Sequence, residues 1–166
     1  PEGVGILVGK KEIIDYVDKM NYSGGGKVQG FQAMEVLRGL VYAPVSFAVQ
    51  AEENEKLVQR IQTMKIEGVK SVFLANAQSK VLLVEFHEDI AQKVLIEAEK
   101  LGAAPNPVGA ESKYEIVPLF YRVSQTFINS DPSLKNRMIR INPMRSGSDT
   151  VIRILVESIN RVKECS

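Results

Sequence analysis

The chain has 166 residues, 45% hydrophobic and 25% charged, enough for one compact domain with a real core or for a small domain carrying an extension. Lys and Arg number 21 against 20 Asp and Glu, a formal charge of +1, so no excess of charge draws it to nucleic acid or to an anionic membrane surface. Its one cysteine, Cys165, and one histidine, His87, poorly supply a disulfide framework, a Cys/His zinc site or a Cys–His nucleophile pair, and a reducing, cytoplasmic setting is the expectation.

No run approaches the roughly 18 to 20 apolar residues that span a bilayer, and the first residues lack a signal-peptide pattern, so no membrane partner is expected. Val4 to Val8, flanked by Gly3 and Gly9, predicts a short buried strand. A domain seldom begins inside its core, so the chain is expected to be a fragment of a longer protein. Lys10 to Met20 predicts a short helix. Asn21-Tyr22-Ser23-Gly24-Gly25-Gly26 follows, and three successive glycines forbid regular structure. From Phe31 the apolar positions Met34, Leu37, Leu40 and Val41 share one helical face, and Val45, Val49, Leu57, Ile61 and Met64 continue it past Pro44, which should kink or break the element.

Val69 to Ala75 and Val81 to Phe86 are β-rich runs separated by a polar turn, which suits an antiparallel pair. Asp89 suits a helix N-cap with Gln92 three residues on, and the stripe Ile90, Val94, Leu95, Ala98, Leu101 ends at Gly102. Ala103 to Lys113, with two prolines and a glycine, predicts a loop. Ile116 to Ser124 and Met138 to Asn142 predict two more strands, joined by a polar loop over Asn129 to Asn136. Ser148 or Asp149 caps a last helix with apolar positions Val151, Ile154, Leu155, Ile159 and Val162.

Three features carry possible chemistry. Gly24-Gly25-Gly26 with Gln29-Gly30 ahead of a helix is a candidate anion cradle, because such turns expose backbone N–H groups and a helix start adds a positive dipole end; a flexible hinge is the alternative. Arg140 sits on a strand whose alternation puts Ile139 and Ile141 on one face and Arg140 with Met138 on the other. It would grip a carboxylate with two bonds, or it is an arginine on a solvated face. His87, at a strand-to-helix junction beside two acidic residues, reads as a polar surface residue, and Lys113 likewise.

The opening Pro1-Glu2-Gly3-Val4-Gly5-Ile6-Leu7-Val8 resembles the segment just after the cofactor-bearing lysine of fold-type-I pyridoxal-phosphate (PLP) enzymes of aminotransferase class V, cysteine desulfurases included. Ser23-Gly24-Gly25-Gly26-Lys27-Val28-Gln29-Gly30 is similar to the glycine-rich segment that in this family approaches the PLP phosphate of the neighbouring subunit. The stretches SGGGKVQGFQAMEVLRGLVYAP, ANAQSKVLLVEFH, PVGAESKYEIVPLFYR and RINPMRSG resemble the YhfS-type PLP-dependent transferase-like proteins, and the agreement covers the whole chain. The resemblance implies PLP as cofactor and an amino acid as substrate. It further implies a homodimer, phosphate contacts from Ser23, Gly24, Gly25, Gly26, Gln29 and Gly30, and a cofactor lysine upstream of residue 1. It also implies that Arg140 binds the substrate carboxylate, with Asn142 standing where the family pattern has serine and with Arg145 as the fallback. Transamination, elimination and side-chain transfer, hence transferase and lyase alike, stay open.

The expected architecture is therefore α/β with an α+β C-terminal domain: a strand and a long kinked helix, then a ββαββα small domain with a mainly antiparallel four-stranded sheet and helices on one face. Residues 1–30 would form the edge of the cofactor domain, 31–65 a connecting helix and 66–166 the small domain. Two rivals are a small-molecule-binding or dimerisation module, which would fold without Pro1 to Tyr22, and an RNA-binding domain. The second fits poorly, since adjacent Phe120 and Tyr121 point to opposite faces and the charge is balanced.

Overall fold

The computed structural model describes residues 6–21, 28–75, 81–105 and 117–164. The chain divides into two compact units, Pro1–Ser46 and Phe47–Ser166.

In the first unit Ile6, Leu7 and Val8 are exposed and carry no regular structure, so the strand expected there is not formed over these residues. A strand needs a neighbour to take up its N–H and C=O groups, and no strand is present in this unit among the described residues. Val4 and Gly5 lie outside the described residues. Helix α1, Lys11–Met20, forms as its periodicity dictates and closes with the Asn21 N–H on the Val17 carbonyl at 3.0 Å. It buries none of its residues.

Helix α2, Gly30–Met64, runs for 35 residues with Pro44 inside it and is not broken there. Proline removes the bond that would otherwise close on the Leu40 carbonyl, and the turns on either side carry the helix across the gap. The Gln32 side chain accepts the Gln29 N–H at 2.8 Å, one half of a capping box at the helix start. The buried residues of α2 are Asn54, Leu57 and Ile61, all in its C-terminal half.

The second unit adds β1 (Val69–Leu74), β2 (Leu82–Phe86), α3 (Ala91–Lys100), β3 (Leu119–Arg122), α4 (Gln125–Ser130), α5 (Leu134–Arg137), β4 (Met138–Asn142) and α6 (Gly147–Glu164). The four strands form one sheet in the order β1-β2-β4-β3, with every neighbouring pair antiparallel. Strand alternation sorts the side chains. Val72, Leu82, Val84, Phe86, Phe120, Ile139 and Ile141 face one way and join Leu57 and Ile61 of α2, Val94 and Ala98 of α3, and Ile154, Leu155 and Ile159 of α6 in the main core. Leu83 and Met138 face the other way and, with Val123, pack under Phe127 and Ile128 of α4 and Leu134 of α5.

Helices therefore lie on both faces, not one, and the polar loop expected over Asn129 to Asn136 is mostly two short helices. Six and four residues hold fewer than two turns, too few for an apolar stripe to repeat. The strand expected over Ile116 to Ser124 is confined to Leu119–Arg122, because Val123 already turns into the second cluster. Ile116 is outside the described residues.

Both expected caps differ. The N-cap of α3 is Ile90, without a side-chain bond, while Asp89 accepts from Arg137 Nε at 2.7 Å and Gln92 Nε2 donates to the Lys135 carbonyl at 2.7 Å. A charged donor nearby outcompetes a backbone N–H. Helix α6 starts at Gly147, so Ser148 and Asp149 lie inside its first turn, where Arg60 Nη1 meets Ser148 Oγ at 2.8 Å and Asp149 Oδ1 at 2.7 Å. Gly102 ends α3 as expected, at φ +97°, a backbone region that L side chains rarely adopt.

Candidate functional site

Arg140 occupies the middle of β4, an internal strand, opposite Leu83 of β2 and Tyr121 of β3. Alternation turns it away from Ile139 and Ile141, which lie in the main core, as the sequence predicts. The side chain is half-buried. Its Nε donates to the Arg122 carbonyl at 2.8 Å, and its guanidinium carbon stands 4.2 Å from the centre of the Tyr121 ring. Among the described residues no carboxylate pairs with it. One hydrogen bond and one aromatic face thus hold the group, while among the described residues neither terminal nitrogen has a partner, which leaves both for an anion with two oxygens.

Asn142, on the same strand face two residues on, is 4% exposed, and its Oδ1 accepts the Met144 N–H at 3.1 Å. That amide shapes the turn after β4. Arg145 follows in that turn, exposed and without a hydrogen bond or ion pair among the described residues.

Of the expected phosphate-binding residues, Ser23, Gly24, Gly25 and Gly26 lie outside the described residues. Gln29 precedes α2 and Gly30 begins it, in the first unit. The first N–H groups of a helix have no partner within it, and its N-terminus favours an anion. Gly30 suits this, since a Cβ there would meet nothing within 4 Å and the approach is open. The N–H of Gln29 is already taken by Gln32, so Gln29 would contribute through its side chain alone. An open helix start of this kind suits a phosphate.

His87 is exposed, with its backbone N–H on the Gly68 carbonyl at 3.0 Å, in keeping with a surface residue; Lys113 is outside the described residues. Glu85, on β2, takes Lys70 Nζ at 2.6 Å and Ser71 Oγ at 3.0 Å. The Lys70 hydrogen bond holds the Glu85 carboxyl below its ordinary range, against the opposing effect of partial burial and with help from Ser71. These are internal pairings of the sheet. Among the described residues no group of three His, Cys, Asp or Glu side chains is placed to hold a metal ion, and no helix is long and apolar enough to cross a membrane.

What sequence reasoning missed is the contact between Tyr121 and Arg140. Its signal was present, an aromatic on one strand and an arginine on another, but their facing positions depend on the register of β3 against β4.

Residues 55–155 match the family described as YhfS-like, C-terminal domain. The chain belongs to that family. It is 58% identical over 159 residues to the uncharacterized protein YhfS of Escherichia coli (strain K12), covering 96% of this chain and 44% of that protein. A crystal structure of the pyridoxal-5'-phosphate-dependent protein YhfS from Escherichia coli superposes with a TM-score of 0.87 at 57% identity, over 97% of this chain and 45% of that one. A cystathionine gamma synthase from Xanthomonas oryzae pv. oryzae, in complex with cystathionine, has a TM-score of 0.64 at 11% identity, over 93% of this chain and 44% of that one, a likeness of fold alone. This YhfS-like chain thus spans less than half the length of these relatives. The expected family holds, and so does the long helix followed by a four-stranded antiparallel sheet with helices.

Proposed function

We propose that this chain serves as the C-terminal part of a PLP-dependent enzyme acting on an amino acid, with Arg140 holding the substrate's α-carboxylate. The observation that carries the reading is the state of Arg140 on an internal strand: fixed at Nε, backed by a ring, and with no partner among the described residues at either terminal nitrogen. Supporting it are the YhfS relative described as PLP-dependent and the fold shared with an enzyme of cystathionine chemistry.

The cofactor, when bound, supplies an electron sink for bond breaking at the α-carbon. Ser23, Gly24, Gly25, Gly26, Gln29 and Gly30 would hold its phosphate. Arg140 would fix the carboxylate, and through it which α-carbon bond faces the reacting group. The lysine that carries the cofactor belongs, on this reading, outside these 166 residues, so this chain alone is not catalytic. The exposed apolar residues of the first unit, Phe31, Val41 and Tyr42 among them, would be covered in the intact homodimer. The reaction is a transfer or an elimination on an amino acid, in a cytoplasmic enzyme.

The test is Arg140→Lys in the full-length protein. Lysine keeps the charge and loses the planar fork, so KM for the amino-acid substrate should rise about tenfold or more while PLP affinity is unchanged. Normal turnover by the variant would move the role to Arg145.

A further inference from the structure

We infer that Tyr121 is a positioning residue for Arg140, presetting its guanidinium so that a carboxylate is taken end-on by the two terminal nitrogens. The inference rests on the reading of Arg140 as the carboxylate-binding group and adds a residue and a binding mode to it.

A guanidinium offers a carboxylate two edges, one made of Nε and a terminal nitrogen and one made of the two terminal nitrogens. In Arg140 the first edge is spent, because Nε donates to the Arg122 carbonyl at 2.8 Å. The second edge carries no partner among the described residues. An arginine has several rotatable bonds, and one hydrogen bond leaves the plane of its head free to swing about the donor. The Tyr121 ring, 4.2 Å from the guanidinium carbon, closes off that swing and adds the attraction of its electron-rich face for the cation.

Both contacts come from β3 through one register. Tyr121 is the direct antiparallel partner of Arg140, and the carbonyl that takes Nε belongs to the next residue, Arg122. The backbone ladder that pairs β3 with β4 therefore also sets the arginine. A ligand meeting a preset fork loses less freedom in binding than one that must order it.

The test uses the full-length, PLP-loaded protein and two small carbonyl reagents that change the cofactor's visible absorbance on binding: aminooxyacetate, which carries a carboxylate, and methoxyamine, which does not. Tyr121→Leu should raise the aminooxyacetate concentration for half-maximal change about tenfold and leave methoxyamine within about twofold. Tyr121→Phe keeps the ring and should behave as wild type with both. Should Tyr121→Leu lose its methoxyamine response through misfolding, Tyr121→Thr, β-branched and suited to a strand, takes its place with the same expectation.

An unchanged aminooxyacetate response without the ring, or equal losses with both reagents in a ring-less variant that keeps its fold, overturns the inference. Arg140→Ala separates the two levels of the argument. If it weakens aminooxyacetate selectively while the ring-less variants do not, only the positioning role fails. If it leaves aminooxyacetate unchanged, the reading of Arg140 itself fails.

Discussion

Glu85 shows how a single side chain responds to its neighbours. Lys70 and Ser71 both donate to its carboxylate, which holds the carboxyl below its ordinary range. The group binds its proton less readily folded than unfolded, so its contribution to stability is present at neutral pH and fades as the pH falls below the ordinary carboxylate range. Glu85→Gln should therefore lower the urea midpoint near pH 7, and the gap from wild type should shrink towards about pH 3. A gap that stays constant with pH would contradict the pairing. Arg140 was legible at this scale from strand alternation, which placed it opposite to Ile139 and Ile141. Its stacking on Tyr121 was not, because alternation says which face a residue takes and not which residue lies across from it.

At the scale of elements, the long periodic segments were readable and the short ones were not. Helices α1, α2, α3 and α6 and strands β1, β2 and β4 stand close to where their spacing puts them, since a repeated apolar stripe or alternation accumulates over several turns or pairs. α4 and α5 are held by tertiary packing against Leu83 and Met138, a cause invisible in so few residues. The start of α3 makes a related point, because Asp89 has capping chemistry and uses it on Arg137. Asp89→Ala should destabilise the wild-type background and have no effect once Arg137 is methionine, as read by urea denaturation. An Asp89→Ala cost that persists without Arg137 would restore the capping role. On α6, Leu155→Ala, at 0% exposure in the main core, should cost about 2 to 5 kcal/mol through lost burial and the cavity left behind. A cost below about 1 kcal/mol would mean that α6 is not part of that core.

The whole chain combines a second unit with its own core and a first unit whose α1 buries nothing. The first unit's apolar residues satisfied the helical pattern in sequence, yet nothing in that pattern reports whether a face meets a partner from the same chain. The chain covers 44% of the Escherichia coli YhfS relative. The central claim is that these residues complete a PLP enzyme whose cofactor lysine lies outside them. Borohydride reduction of the PLP-loaded, full-length protein, followed by peptide mapping, tests it most directly. The account predicts one stoichiometric cofactor label on a lysine outside these 166 residues. A stoichiometric label on a lysine within them, such as Lys10, Lys27 or Lys113, or no label at all, would contradict it.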